Sequence, residues 1–193
     1  MSLLEKLRFR PENPADYRQV EELTRETFGE GCDEHFVVHQ LRKSSSHIPE
    51  LCFVACQGSK ILGHILYTRS YIHGNDGQKH EVISFGPISV RPEHQNQGIG
   101  TALIEITIAL AKSHNRHAAV FIYGDPEYYR RFGFVNAARF GVTTPKGQNF
   151  DEFMGLELRK RSLVAKKGKL YQDAAFAVDT AALRDFENTF LTS

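Results

Sequence analysis

The stretch SVRPEHQNQGIGTALIEI, Ser89 to Ile106, leaves an apolar strand through Pro92 and charge, crosses a turn bearing Gly98 and Gly100, and restarts at once as a helix. Ile99, Leu103, Ile106 and Leu110 recur at helical spacing, and Ile104 and Ile108 widen the apolar front, so this helix is expected to be largely buried. The first N–H groups of a helix have no internal acceptor and carry partial positive charge. Glycines at such a start let the chain turn, and let anionic oxygens approach the backbone with no Cβ in the way. On the hexapeptide Gln95-Asn96-Gln97-Gly98-Ile99-Gly100 alone, two readings stay open: a cradle for a phosphate group, or a turn whose glycines serve packing. A P-loop and a dinucleotide fingerprint are both excluded, because the chain has neither GxxxxGK[ST] nor a GxGxxG after its first strand.

Working outward, LRFR (Leu7–Arg10) reads as a short strand, and NPADYRQVEELTRETFG as an amphipathic helix opened by Pro14 and Asp16. DEHFVVHQLRKS reads as a second, shorter helix that SSSHIPE ends. LCFVACQ and ILGHILYTRSYI are strands by their β-branched and aromatic content, HGNDGQ is a loop, and EVISFGPISV is a further strand. Gly86-Pro87 inside that strand predicts a bulge or splay, since proline cannot donate to a ladder. Beyond the buried helix, HAAVFIYG is a strand and DPEYYRRFG a short helix with Asp125 before it and Pro126 at its first position. FVNAARFGV and EFMGLELRK complete a mixed sheet, and KLYQDAAFAV is expected to add an edge strand.

The 193 residues predict one domain with a sizeable core, spanning 1–193 with its centre at about 7–158 and a basic extension at 159–193. With 24 Lys and Arg against 23 Asp and Glu, net charge nominates no partner. No apolar run reaches the roughly 20 residues of a membrane span, and MSLLEKLRFR lacks the apolar centre of a signal peptide. Three cysteines do not make a disulfide framework, so a reducing, cytoplasmic setting is expected. Cys52 and Cys56 lie four apart in a strand, where alternation points both to one face, and read as core residues. His35 and His39 share a helix face but lack the glutamate of HExxH, so no metal is expected there. Arg159–Lys169 holds six basic residues in eleven, which reads as a solvated strand end; without interleaved aromatics, nucleic acid is not expected as a partner.

FGPISVRPEHQNQGIGTALI resembles the acetyl-CoA-binding motif of the GNAT N-acetyltransferase superfamily, Q/R-x-x-G-x-G/A after the fourth strand, with Gln95, Gly98 and Gly100 in register. GDPEYYRRFGF (Gly124–Phe134) is similar to the family's helix in which a tyrosine stands four residues before Gly-Phe, here Tyr129 before Gly133-Phe134. The element order is the family's as well. Together with PELCFVA upstream, these segments are most similar to the bacterial YhbS-type acetyltransferases, over roughly Leu7 to Leu158.

The resemblance implies an α/β fold with a central twisted mixed sheet, splayed between strands four and five and flanked by helices. It implies acetyl-CoA as cosubstrate and no metal. Backbone groups of Ile88, Ser89 and Val90 would pair with the pantetheine arm, and the amides of Gln95, Asn96, Gln97, Gly98, Ile99, Gly100 and Thr101 would hold the pyrophosphate. An N–H near Ile88 would face the thioester oxygen. Tyr129, beside the CoA sulfur, would be the general acid for the leaving thiolate.

The implied reaction is direct attack of a primary amine, without an acyl-enzyme. A lysine-like amine of pKa ~10.4 is neutral about once in 2,500 molecules at pH 7, a cost of roughly 4.6 kcal/mol, whereas an α-amine near ~7.8 costs about 1 kcal/mol. A base therefore matters more for the first class. The family's glutamate on the fourth strand falls on Val82 here. Adjacent Glu81 is the candidate base although plain alternation turns it to the other face; Ser84 or a water chain is the alternative. A cofactor motif without an evident base leaves a second reading, a non-catalytic acyl-CoA-binding module. A homodimer is expected only by analogy with relatives.

Overall fold

The computed structural model describes residues 3–191. In chain order its elements are β1 (Arg8–Pro11), α1 (Tyr17–Phe28), α2 (Glu34–Leu41), β2 (Phe53–Gln57), β3 (Lys60–Gly74), β4 (Lys79–Val90), α3 (Ile99–His114), β5 (Ala119–Tyr123), α4 (Pro126–Tyr129), β6 (Val135–Asn136), β7 (Val142–Thr143), β8 (Phe153–Glu157), β9 (Gly168–Tyr171) and α5 (Thr180–Leu191). They fall into two compact units. One holds the described residues through Leu66, Pro87–Leu103 and those from Asp173 on; the other holds Tyr67–Gly86 and Ile104–Gln172. The division of β4 falls between Gly86 and Pro87, the dipeptide expected to disturb that strand.

In the first unit β1, β2 and the start of β3 pair antiparallel, from Arg8↔Cys56 to Phe53↔Ile65. Entry into α1 is set by polar side chains. Asn13 and Asp16 cap the turn before it reciprocally, and Arg10 reaches Asp16 with two bonds of 2.6 and 2.8 Å. The amphipathic pattern of α1 then buries Val20, Leu23 and Thr24, and α2 packs against it. A register shift between Ala55 and Cys56 breaks the alternation expected to align the two cysteines, although both are buried as core residues.

The edge strand expected over KLYQDAAFAV is shorter than its composition suggests. It ends at Tyr171, and from Thr180 the chain is helical. The Asp179 carboxylate accepts from the Ala182 N–H at 2.8 Å, which is an N-cap, and Phe186 goes into the core. The rings of Phe186 and Phe190 pack around His35, whose Nε2 lies 2.6 Å from Glu187. His35 and His39 are thus tied separately, His39 to Glu21 at 2.9 Å, and serve packing.

The second unit carries the order β3-β4-β5-β8-β6, with β9 on β3 and β7 on β9. HGNDGQ is a tight β3–β4 turn closed by the Gly74 N–H on the Gln78 carbonyl at 2.8 Å. β5 runs parallel to β4 and antiparallel to β8, so the sheet is mixed. Ile72, Val82, Phe121, Phe153 and Leu170 centre its core. FVNAARFGV is not one strand. The Asn136 side chain accepts from the Ala138 N–H at 2.9 Å and starts a 3₁₀ turn over Ala137–Phe140, leaving two-residue strands on either side. Residues 159–167 are turns and irregular chain, held where Glu157 accepts from the Arg161 and Leu163 N–H groups, with the arginines exposed, and only Gly168 and Lys169 of the basic segment lie in a strand, at the start of β9.

Candidate functional site

Pro92–His94 forms one 3₁₀ turn, after which the backbone passes through Asn96 at φ 58° and Gly98 at φ 87°. The first helical bond of α3 is from the Ala102 N–H to the Gly98 carbonyl, 2.9 Å. The N–H groups of Ile99, Gly100 and Thr101 therefore stand ahead of the hydrogen-bonded ladder, at the positive end of a 16-residue helix. Asn96 and Gln97 are exposed beside them, Gly98, Gly100 and Thr101 are at most half-buried, and Ile99 is buried as an anchor. Gln95 behaves differently from its neighbours. Its own N–H donates to the Pro92 carbonyl at 3.3 Å and its side chain donates to the Val90 carbonyl at 3.1 Å, so, although exposed, it braces the turn.

That turn is seated by residues the motif did not reveal. A Cβ on Gly63 of β3 would lie 2.8 Å from Ile99 and 3.1 Å from Leu103, so its absence lets the start of α3 settle onto the strand. From α1, Thr27 donates to Val90 O at 3.0 Å, while Ser89, fully buried at the end of β4, donates to the Thr24 hydroxyl at 3.0 Å. Arg91 pairs with Glu26 and donates to the Ile61 carbonyl at 2.9 Å. With Thr27 and Gln95 both on it, the Val90 carbonyl is fully engaged. The signal for Thr24 and Thr27 was present in sequence only as polar residues on an otherwise apolar helix face.

In the second unit, the β4–β5 ladder consists of Ile83↔Val120 and Ser84↔Phe121 and stops two residues before Gly86, whose φ of 147° is closed to most side chains. The sequence expectation of a splay rests on that dipeptide. Asp125 caps α4 by accepting from the Glu127 N–H at 2.9 Å, with Pro126 at the first position, as the sequence predicted. The helix delivers Tyr129 into an aromatic cage of Phe85, Tyr128, Phe132 and Phe134, with ring centroids 5.0–6.3 Å away. Burial first, then the neighbouring Tyr128 and Asp125, push its phenol well above the ordinary tyrosine range. It stays protonated at every pH at which the protein would work.

Val82 is fully buried, and so is Ser84, whose hydroxyl is shared with Ser70 at 2.9 Å. Glu81 points outward with 59% of its side chain exposed and lies 3.7 Å from His117 Nδ1. Tyr129 and Glu81 belong to the second unit, and Ile88 to Thr101 to the first. Among the described residues no group of three or more His, Cys, Asp or Glu side chains is arranged to hold a metal ion, and no helix is long and apolar enough to cross a membrane.

Residues 17–134, more than half of the chain, match the model of the Acetyltransferase (GNAT) family. The uncharacterized N-acetyltransferase YjhQ of Escherichia coli is 30% identical over 125 residues, 64% of this chain and 67% of its own length. The crystal structure of the GNAT family N-acetyltransferase YhbS from Escherichia coli, in complex with CoA, aligns with a TM-score of 0.79 at 23% identity, covering 89% of this chain and 92% of that one. A GNAT family acetyltransferase from Brucella melitensis, in complex with acetyl-CoA, aligns with a TM-score of 0.70 at 26% identity over 89% and 98% of the two chains.

Proposed function

Because the chain belongs to the acetyltransferase (GNAT) family, and so is an acyltransferase, we propose that it transfers the acetyl group of acetyl-CoA to a primary amine of a small molecule or a protein. The observation that carries this reading is the helix start at Gly98. Three successive N–H groups precede the α3 ladder behind a glycine held at φ 87°, a donor set that suits a diphosphate. The acetyl-CoA complex of the Brucella melitensis relative supports the same ligand. We take 1–193 as one catalytic domain. Its cysteines, Cys32, Cys52 and Cys56, stand outside any disulfide, which suits the cytoplasm.

Acetyl-CoA supplies an activated acyl carbon: the amine lone pair forms the C–N bond as the C–S bond breaks, and the sulfur leaves with the electron pair. The chain's own residues bind, orient and move protons. N–H groups from Asn96 to Thr101 hold the pyrophosphate, each dipole contact contributing ~0.3–1 kcal/mol in addition to its hydrogen bond. Backbone groups of Ile88, Ser89 and Val90 align the arm. Tyr129 gives its phenolic proton to the departing thiolate. Burial raises the phenol's pKa, so the proton stays on Tyr129 until the thiolate forms. The amine's proton is lost to solvent or through Glu81, whose exposure and proximity to His117 make it a relay to water rather than a buried base. Fixing two bound molecules in line supplies up to ~7–11 kcal/mol of the barrier reduction.

The test has two stages. Calorimetry measures acetyl-CoA binding, and CoA release is then followed with a panel of small amines, polyamines and N-terminal peptides. Tyr129→Phe should lower kcat by about 100- to 10,000-fold while the acetyl-CoA Kd holds. Binding without turnover on any amine would reduce the protein to a carrier of acyl-CoA. Absence of binding would reduce the turn at Gly98 to a packing feature.

A further inference from the structure

We propose that Gly124, the first of the two residues linking β5 to α4, is a positioning residue: the hydrogen in place of its side chain sets where the Tyr129 ring lies. The inference rests on the reading of Tyr129 as the proton donor. A Cβ built on Gly124 would lie 2.3 Å from Tyr129 Cε2, 2.9 Å from Cδ2 and 3.2 Å from Cζ. The space a side chain would take at Gly124 is thus filled by one ring edge, on the side that carries the hydroxyl. Gly124 does not occupy the left-handed region, which Asn96, Gly86 and Gly98 do. Its backbone conformation is open to any residue, and its N–H makes an ordinary bond to the Glu152 carbonyl at 2.9 Å. What the position requires is therefore the missing side chain.

The ring cannot simply move aside at no cost. Phe85, Phe132 and Phe134 stand against it at 5.8–6.3 Å between centroids, and Tyr128 packs edge-on at 5.0 Å. To restore an ordinary contact of 3.4 Å, a methyl group at position 124 must displace the ring edge by about 1 Å, a shift of the size that costs about 100-fold when a catalytic group is misplaced. A methyl there leaves the phenol's chemistry intact and changes only its place. The loss should accordingly appear in kcat and vanish when the hydroxyl is already gone.

The experiment is a cycle of wild type, Gly124→Ala, Tyr129→Phe and the double variant. Each is measured for melting temperature, acetyl-CoA Kd, and kcat and KM for CoA release with the panel amine that reacts fastest. The expected result is a kcat lowered about 100-fold in Gly124→Ala with acetyl-CoA Kd within about two-fold of wild type, and no further loss when the same change is made in Tyr129→Phe. Wild-type kcat in Gly124→Ala overturns the inference, as does a loss that multiplies with that of Tyr129→Phe, or one confined to Kd. Full activity in Tyr129→Phe is a different failure: it removes Tyr129 from the chemistry and the inference with it. If Gly124→Ala does not fold, the pair Gly124→Ala/Tyr129→Ala decides, because the ring the methyl meets is then absent. Recovery of a cooperative melt supports the contact, and persistent unfolding overturns it.

Discussion

Replacing Gly98 by alanine tests the turn that opens α3 with the smallest available change. At φ 87° an L-residue costs about 1–2 kcal/mol. Space is not the obstacle: the new Cβ would meet only the tip of Leu4, at 3.1 Å, and that flexible side chain can swing away. The backbone can respond in two ways. If it keeps the turn, the protein loses about 1–2 kcal/mol of stability. If it relaxes, the N–H groups of Ile99, Gly100 and Thr101 lose their common direction, and each charge-assisted bond lost to the diphosphate costs about 1.5–3 kcal/mol. Loss of one such bond raises the acetyl-CoA Kd by about 10- to 150-fold. Gly77 supplies the control, since it has φ 77°, lies in the β3–β4 turn and has nothing within 4 Å of where a Cβ would stand. Gly77→Ala should show the same backbone penalty in the melting temperature with acetyl-CoA binding unchanged. Calorimetry and thermal melts on both variants distinguish the effects. Wild-type binding and wild-type melting in Gly98→Ala would refute the reasoning, because neither strain nor cradle would then depend on that glycine.

Other consequences follow from groups that hold the first unit together. Gly63→Ala should weaken acetyl-CoA binding severalfold without touching the turn itself, by lifting Ile99 and Leu103 off β3; unchanged affinity by calorimetry would count against Gly63 as the seat of the helix start. The Arg42 side chain, 3% exposed, lies 2.5 Å from Glu12 and 3.1 Å from Glu21 and stacks on Tyr17, so Arg42→Ala should cost about 3–5 kcal/mol in denaturant unfolding by removing the cation that two buried carboxylates share and leaving each with a histidine alone. Glu12 gives a pH signature. Burial opposes its ionisation, but His64 and Arg42 outweigh that and hold its pKa at about 2. A carboxyl depressed in the folded state stabilises fully above its unfolded pKa of ~4.3 and loses that contribution as pH falls toward 2, about 3 kcal/mol in all. Acid unfolding of Glu12→Gln should lack this component between pH ~4.3 and 2, and an unchanged acid limb would refute it.

Elements whose signals are local were legible in the sequence. Periodicity gave α1 and α3, the Asp125-Pro126 start gave α4, and Gly98 with Gly100 marked the place where a helix opens behind a turn. The apolar run AAFAV favoured a strand by composition and hid α5, which Asp179 caps just after it. Asn136, likewise, broke a segment whose composition was that of a strand. Tertiary structure alone decided the parts that depend on neighbours distant in the chain. Gly63 and Gly124 look like any other glycine until the Ile99 side chain and the Tyr129 ring come within 3 Å of where a Cβ would be. The Glu12–Arg42–His64 cluster joins positions far apart in the chain, and its charges read as solvated until the fold buries them. Local propensity is a property of a few consecutive residues and can be read from them. Close approach and desolvation are properties of pairs, and no stretch of sequence contains both partners.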